Sequence, residues 1–161
     1  MNSVLRVRQA DLADARDQQR VLEMLDLYAR DPLGQGRPLS EDARCRLISG
    51  LQAQPGGLVL LALEGERAAG LAVSFTGFST FQARPLLNLH DLVVRPEMRG
   101  KGIARALLHA LEVEACRRNC CKLTLEVRAD NDRARRLYQS LGFRPGQDGA
   151  ALSFWTKPLA P

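Results

Sequence analysis

Apolar and polar residues alternate from Val4 to Arg8, the period of a half-buried strand, and the run ends at Ala10-Asp11, where Asp11 is placed to cap a helix. Leu12, Val21, Leu22, Leu25 and Tyr28 then recur near the helical period as far as Asp31-Pro32. The residues that follow, Leu33-Gly34-Gln35-Gly36-Arg37-Pro38, cannot continue a helix and predict a loop. Ser40-Glu41-Asp42 supplies a cap and first-turn acids for a second helix to about Gln52, which Pro55-Gly56-Gly57 closes.

Two apolar runs come next, Leu58 to Leu63 and Ala68 to Phe75, joined by Glu64-Gly65-Glu66-Arg67, the chemistry of a hairpin between antiparallel strands. After the segment from Phe78 to Pro85 a third strand is predicted from Leu86 to Val94. Ile103, Leu107, Leu108, Leu111 and Ala115 keep helical spacing between Lys101 and Arg118, with Arg105, His109 and Glu112 on the wet face. Cys121 to Val127 alternates again, which makes a strand, helix, strand unit whose strands should run parallel. A last helix is expected from about Asp132 to Leu141, capped by Asn131 and stopped by Gly142, and Ala151 to Thr156 has the alternation of a closing strand. Mixed strand pairing with helices packed on the sheet predicts an α+β architecture.

Composition narrows the class. The chain has 161 residues, 45% of them hydrophobic and 25% charged, the make-up of one globular domain. The longest apolar run, Leu58 to Leu63, is far short of the ~20 residues a membrane helix needs, and the first ten residues have no apolar leader core, so a cytoplasmic protein is expected. Of the 23 cations only Lys101, Lys122 and Lys157 are lysines, and the net charge of +5 favours an anionic ligand. The arginines are dispersed among acids and aromatics are only 5%, which argues against a nucleic-acid surface. Cys45, Cys116, Cys120 and Cys121 form no C-x-x-C pair and have no histidine at zinc spacing, so reduced, partly buried thiols and no metal are expected.

Candidate chemistry gathers between the third strand and the long helix, in Val94-Arg95-Pro96-Glu97-Met98-Arg99-Gly100-Lys101-Gly102-Ile103-Ala104. Glycines 100 and 102 let the chain approach a ligand, the helix that follows offers unpaired N–H groups, and Arg99 and Lys101 add charge. The turn has neither the nucleotide P-loop spacing nor the three-glycine dinucleotide fingerprint. Two readings stand at this point, an anion site and a plain tight turn.

Leu92-Val93-Val94-Arg95-Pro96-Glu97-Met98-Arg99-Gly100-Lys101-Gly102-Ile103-Ala104, followed at the right distance by Asn131-Asp132-Arg133-Ala134-Arg135-Arg136-Leu137-Tyr138-Gln139-Ser140-Leu141-Gly142-Phe143, resembles the GNAT superfamily of acetyl-CoA-dependent N-acetyltransferases. Arg99, Gly102 and Ala104 satisfy the family's Arg/Gln-x-x-Gly-x-Gly/Ala motif, and the order of elements from Val4 to Trp155 matches as well. The resemblance implies one N-acetyltransferase domain over residues 1–161, with a mostly antiparallel mixed sheet, a splayed parallel strand pair and helices on both faces. It implies acetyl-CoA as cosubstrate, held by the N–H groups from Arg99 through Gly100, Lys101, Gly102 and Ile103 to Ala104. Leu92, Val93 and Val94 would pair with the pantetheine arm, and Asn131, Arg133 and Tyr138 would meet the coenzyme.

The family's reaction is direct attack of an amine on the thioester, which needs a base and an acid. The resemblance makes Tyr138 the acid, since a phenol keeps its proton at neutral pH; without it Tyr138 reads as a core aromatic beside Leu137 and Leu141. His90 is the candidate base, on the face that alternation gives to Leu92 and Val94, where several family members carry a glutamate. Asp91, assigned to the opposite face with Leu89 and Val93, reads first as a structural carboxylate paired with an arginine or a backbone N–H, and Asp91, a water chain or another residue stand as alternatives to His90 for the base. Tyr28, Phe78 and Phe81 are candidates for an aromatic wall around the acceptor. The acceptor expected is a small-molecule amine such as a polyamine, with a protein amine and an acyl-CoA sensor without turnover as the competing readings. A homodimer is the family's common assembly.

Overall fold

Five strands hydrogen-bond in the order in which the chain makes them: β1 (Leu5–Gln9), β2 (Gly57–Glu64), β3 (Arg67–Ser79), β4 (Arg84–Val94) and β5 (Leu123–Leu125). The pairs β1–β2, β2–β3 and β3–β4 are antiparallel and β4–β5 is parallel, so the sheet is mixed and the fold is α+β. Three helices belong with the sheet, α1 (Ala15–Arg30), α2 (Glu41–Ala53) and α3 (Ile103–Arg117). This is a computed structural model that describes residues 4–145, divided into two compact units between Glu126 and Val127. The second unit holds α4 (Asp132–Ser140).

Strand alternation sorts the first unit's core into two faces. Leu61, Leu63, Leu71, Val73 and Val93 join Val21, Met24 and Leu25 of α1 in one buried cluster, with Leu47, Ile48 and Leu51 of α2 packed against it. Gly70 looks to the other face, where a Cβ would lie 2.8 Å from Ile103 Cγ2 and 3.0 Å from Leu107 Cδ1 of α3. Helices therefore cover both faces, which is why β2 and most of β3 are unbroken apolar runs rather than alternating ones.

Several boundaries differ from the sequence expectation. Asp11 does not cap α1: its carboxylate accepts from Ala13 N–H in a local turn, its own N–H donates to Asp17, and Asp14 caps the helix instead, accepting from Arg16 N–H. β3 continues to Ser79 and β4 starts at Arg84, so half of the segment from Phe78 to Pro85 is strand, closed by a turn with Ala83 at φ 49°. β5 is three residues long, not seven, because its pairing is confined to Leu87–Leu89 of β4. Cys45 and Cys116 are exposed and Cys120 and Cys121 half-buried, all four as free thiols. The closing strand expected from Ala151 to Thr156 lies outside the described residues.

In the second unit the Asn131 side chain caps α4, accepting from Ala134 N–H at 3.2 Å. Gly142, at φ 87°, ends the helix. Tyr138 is buried, and its ring stands edge-on to Phe143 at 5.7 Å.

Candidate active site

The chain leaves β4 under firm control. Arg95 N–H donates to the Ala69 carbonyl at 3.0 Å and Arg95 Nε to the Ala68 carbonyl at 2.6 Å, while Met98, buried in the short 3-10 helix Pro96–Met98, pins the following bend. Gly100 and Gly102 then take left-handed φ of 82° and 79°, and Gly102 is the residue from which α3 starts. A Cβ on either would meet nothing within 4 Å, so these glycines answer to backbone conformation and open access, not to packing.

Arg99 N–H is used internally by the Pro96 carbonyl at 3.3 Å. The N–H groups of Gly100, Lys101, Gly102, Ile103 and Ala104 have no acceptor among the described residues, and the first helical bond is Ala106 N–H to Gly102 at 3.0 Å. Free N–H groups at the positive end of a helix dipole, beside the exposed Lys101, suit an anion such as a phosphate. The Arg99 side chain does not extend into this turn: Nη2 is 3.1 Å from Asp31 Oδ2 at the end of α1, and Nε is 3.3 Å from the Val94 carbonyl.

One strand away, the β3–β4 register slips. Ser74 faces Leu89 while Val73 faces Asp91, so His90 is an extra residue, a β-bulge. Parallel pairing with β5 also stops at Leu89, opposite Leu125. From His90 to Val94, β4 therefore keeps β3 on one side and has no strand on the other among the described residues, and an edge of this kind can take up an extended ligand by main-chain hydrogen bonds.

The bulge also changes which side chains share a face. Asp91 and Val93 stand opposite Val73 and Leu71 on the α1 face, whereas Leu89 stands opposite Ser74 on the α3 face, so the alternation that joined Asp91 to Leu89 is broken. The exposed His90 meets Phe75 edge-on at 5.7 Å, and Phe75 packs on the α1 cluster, so His90 keeps company with Asp91 and not with Leu92 and Val94. Asp91 is half-buried and makes no hydrogen bond or ion pair among the described residues. Burial pushes its carboxyl above the usual value, opposed by the charge of His90. Tyr28, half-buried at the end of α1, is pushed upward as well, first by burial and then by the negative fields of Asp91 and Asp31. Asp31 itself is held low by the Leu33 N–H and then by Arg99. The bulge thus gathers Tyr28, Phe75, His90 and Asp91. The sequence pattern does not place Phe75 in the site, and it sets Asp91 on the face opposite His90, since nothing in a linear pattern marks where a strand will slip.

Phe78 and Phe81 are exposed at the β3–β4 turn, and Phe78 lies five residues beyond Val73, about 17 Å along the strand, so they form no wall with Tyr28. Asn131, Arg133 and Tyr138 all belong to the second unit, where Arg133 is exposed. A surface groove of about 630 Å³ between α1 and the β2–β3 turn includes Arg16, Arg20, Glu23, Glu66 and Arg95. Its cations are largely taken up, Arg20 by Glu66 at 2.7 Å and Arg95 by Glu23 at 3.3 Å. Among the described residues no group of three His, Cys, Asp or Glu is placed to hold a metal, and no helix is long and apolar enough to cross a membrane.

The model of the Acetyltransferase (GNAT) family matches residues 21–143, which takes in the later part of α1, the bulge, the glycine turn and α4. The chain belongs to the GNAT acetyltransferase family. An uncharacterized N-acetyltransferase of Archaeoglobus fulgidus is 32% identical over 103 residues, 64% of this chain and 70% of that protein. In fold, the chain is similar to a probable acetyltransferase at TM-score 0.80, with 23% identity over 97% of this chain and 99% of the other. It is also similar to an aminoglycoside acetyltransferase from an uncultured soil metagenomic sample, solved in complex with sisomicin, at TM-score 0.77, with 16% identity over 96% of this chain and 97% of that one. As a GNAT protein the chain is an acetyl-CoA-dependent acyltransferase, and the helix-terminal turn and open β4 edge fit what such a cosubstrate requires.

Proposed function

We propose that this GNAT protein transfers the acetyl group of acetyl-CoA to the primary amine of a small, cationic molecule by direct attack of the amine on the thioester. The observation that carries the reading is the junction of the N–H groups from Gly100 to Ala104 with the β4 edge from His90 to Val94, both without backbone partners among the described residues. The turn, with Lys101, holds the pyrophosphate. Leu92, Val93 and Val94 hold the pantetheine arm through their backbone, and a backbone N–H of the same edge steadies the oxyanion. Asn131 and Arg133 contact the coenzyme, and Tyr138 donates a proton to the departing thiolate. Of the three aromatic residues, Tyr28 lines the acceptor site, because it is the one beside the bulge.

A small amine is favoured over a protein amine by the half-buried setting of Tyr28 and Asp91 and by the similarity in fold to an enzyme solved with an aminoglycoside. Residues 1–161 are taken as one catalytic domain acting in the cytoplasm, with a homodimer as the family's common assembly. The test is thiol release from acetyl-CoA across polyamines, aminoglycosides, amino acids and lysine peptides, with coenzyme binding followed in parallel. Release with a small cationic amine and slower release by Tyr138→Phe at unchanged coenzyme affinity is the expected result. Coenzyme binding without release from any amine makes the protein an acyl-CoA sensor, and release with peptides alone moves the acceptor to protein amines.

A further inference from the structure

We infer that the Arg99 side chain is a positioning strut rather than a coenzyme ligand: by bonding the Asp31 carboxylate and the Val94 carbonyl at once, it fixes the loop of residues 31–38 against the end of β4 and so governs how firmly the acceptor is held. The inference deepens the acetyl-transfer reading above, and its consequence for the acceptor rests on that reading.

The loop starts from a hub. Asp31 ends α1 by donating its N–H to the Tyr28 carbonyl, and its own carbonyl accepts from Gly34 N–H at 2.8 Å and Gly36 N–H at 3.2 Å. One carboxylate oxygen takes the Leu33 N–H at 2.9 Å, while the N–H groups of Gln35 and Arg37 return to the Ala29 carbonyl. Gly34 lies so close over the last turn of α1 that a β-carbon there would stand 2.2 Å from the Tyr28 carbonyl oxygen. These bonds tie the loop to α1 and to itself. No residue from 31 to 38 is buried, and neither is any residue of α2, so apolar packing does little to hold this stretch in place.

Arg99, 68 residues further on, supplies a tie to the sheet. Its Nη2 donates to the other Asp31 oxygen at 3.1 Å, and its Nε to the Val94 carbonyl at 3.3 Å. That carbonyl shares a trans peptide plane with the Arg95 N–H, which points back to Ala69 of β3. It therefore faces the side of β4 that has no strand among the described residues. A planar guanidinium spanning two acceptors on different elements defines their spacing, as a flexible ammonium would not.

Charge points the same way. Paired with Asp31, Arg99 offers an anion little, whereas Lys101 on the same turn has no partner among the described residues. The two side chains of the pair are 36% and 25% exposed, and such a pair contributes little to global stability, so its use is positional. The loop it holds adjoins the cluster at the bulge: Tyr28 stands one turn before Asp31, whose charge acts on the Tyr28 phenol. With Tyr28 lining the acceptor site, a loosened loop weakens capture of the amine. The coenzyme turn keeps its N–H groups and Lys101, neither of which involves the Arg99 side chain.

The test follows amide hydrogen exchange, acetyl-CoA affinity by calorimetry and steady-state kinetics in wild type, Arg99→Gln, Asp31→Asn and the double variant. Asparagine at position 31 keeps an oxygen for the Leu33 N–H while removing the charge that Arg99 meets. Each single variant should speed exchange of the amides of residues 33–37 by at least about fivefold, and the double variant should do no more than the stronger single one, because one contact is being removed. Acetyl-CoA affinity should stay within about threefold of wild type in all three. With the best amine of the panel, at saturating acetyl-CoA, KM for the amine should rise at least about fivefold while kcat changes by less than about twofold. A smaller change of loop exchange in Arg99→Gln overturns the strut, and a larger loss of acetyl-CoA affinity makes Arg99 a coenzyme ligand instead. A smaller rise in amine KM, or a fall in kcat alone, overturns the link to the acceptor. Wild type that releases thiol with no amine overturns the acetyl-transfer reading, and loop exchange then still decides the strut.

Discussion

Asp17 shows what a satisfied buried carboxylate does for this protein. It is 1% exposed and takes two bonds from Arg8 at 2.5 and 2.8 Å, one from Arg20 at 2.9 Å and one from the Asp11 N–H at 2.8 Å. Those contacts tie β1 to the start of α1, and the bonds from Arg8, foremost, hold the carboxyl below its ordinary value. A carboxyl lowered in the folded state contributes stability above its unfolded value near ~3.9 and loses it as the pH falls through the folded one. Asp17→Asn should therefore cost about 3 kcal/mol at pH 7, the lower end for breaking a buried pair because both arginines keep some water, and the difference from wild type should shrink below about pH 4. Urea unfolding at the two pH values measures both. Asp91 carries the opposite sign, because burial without a partner raises its carboxyl and makes the ionised form a burden on the fold. His90 and Asp91 are adjacent in sequence, and alternation alone assigns them to opposite faces; one inserted residue at the bulge removes that distinction. A side-chain period of two cannot reveal where it is interrupted.

At the scale of elements, the site depends on how α3 is seated. Its first residue, Ile103, packs over Gly70, and a β-carbon there would also come within 3.2 Å of the Val93 carbonyl. Gly70→Val should destabilise by about 1–3 kcal/mol and weaken acetyl-CoA binding together, since the displaced Ile103 carries one of the free N–H groups. Chemical denaturation and calorimetry on the same variant test that coupling. The helices themselves are legible in the sequence because capping residues and apolar spacing agree locally: Ser40 caps α2 and Asn131 caps α4, as their positions suggest. Asp11 misleads because Asp11 and Asp14 have the same capping chemistry, and Asp17 draws the Asp11 N–H away from the helix start. β5 is shorter than its pattern for a related reason: Cys121 to Val127 has the strand period throughout, but β4 offers it partners only from Leu87 to Leu89.

At the scale of the whole chain, the order of elements, the mixed sheet and the glycine turn follow from patterns each contained within a dozen residues, and so they are legible in the linear order of residues. The cluster at the bulge is not, because Tyr28, Phe75 and Asp91 come from three separate elements and come together only where β4 slips. Exposed Phe78 and Phe81 carry the same aromatic signal in the sequence and fall at the other end of the hairpin. If the turn from Gly100 to Ala104 receives the phosphates of acetyl-CoA, as proposed, titration calorimetry of acetyl-CoA into wild type and Gly102→Val will show it. Valine at φ 79° is strained by about 1–2 kcal/mol and covers the open approach to the helix end. Wild type should bind, and the variant, still folded by circular dichroism, should lose at least about tenfold in affinity. Equal affinity in the folded variant, or no binding to wild type, would contradict the claim.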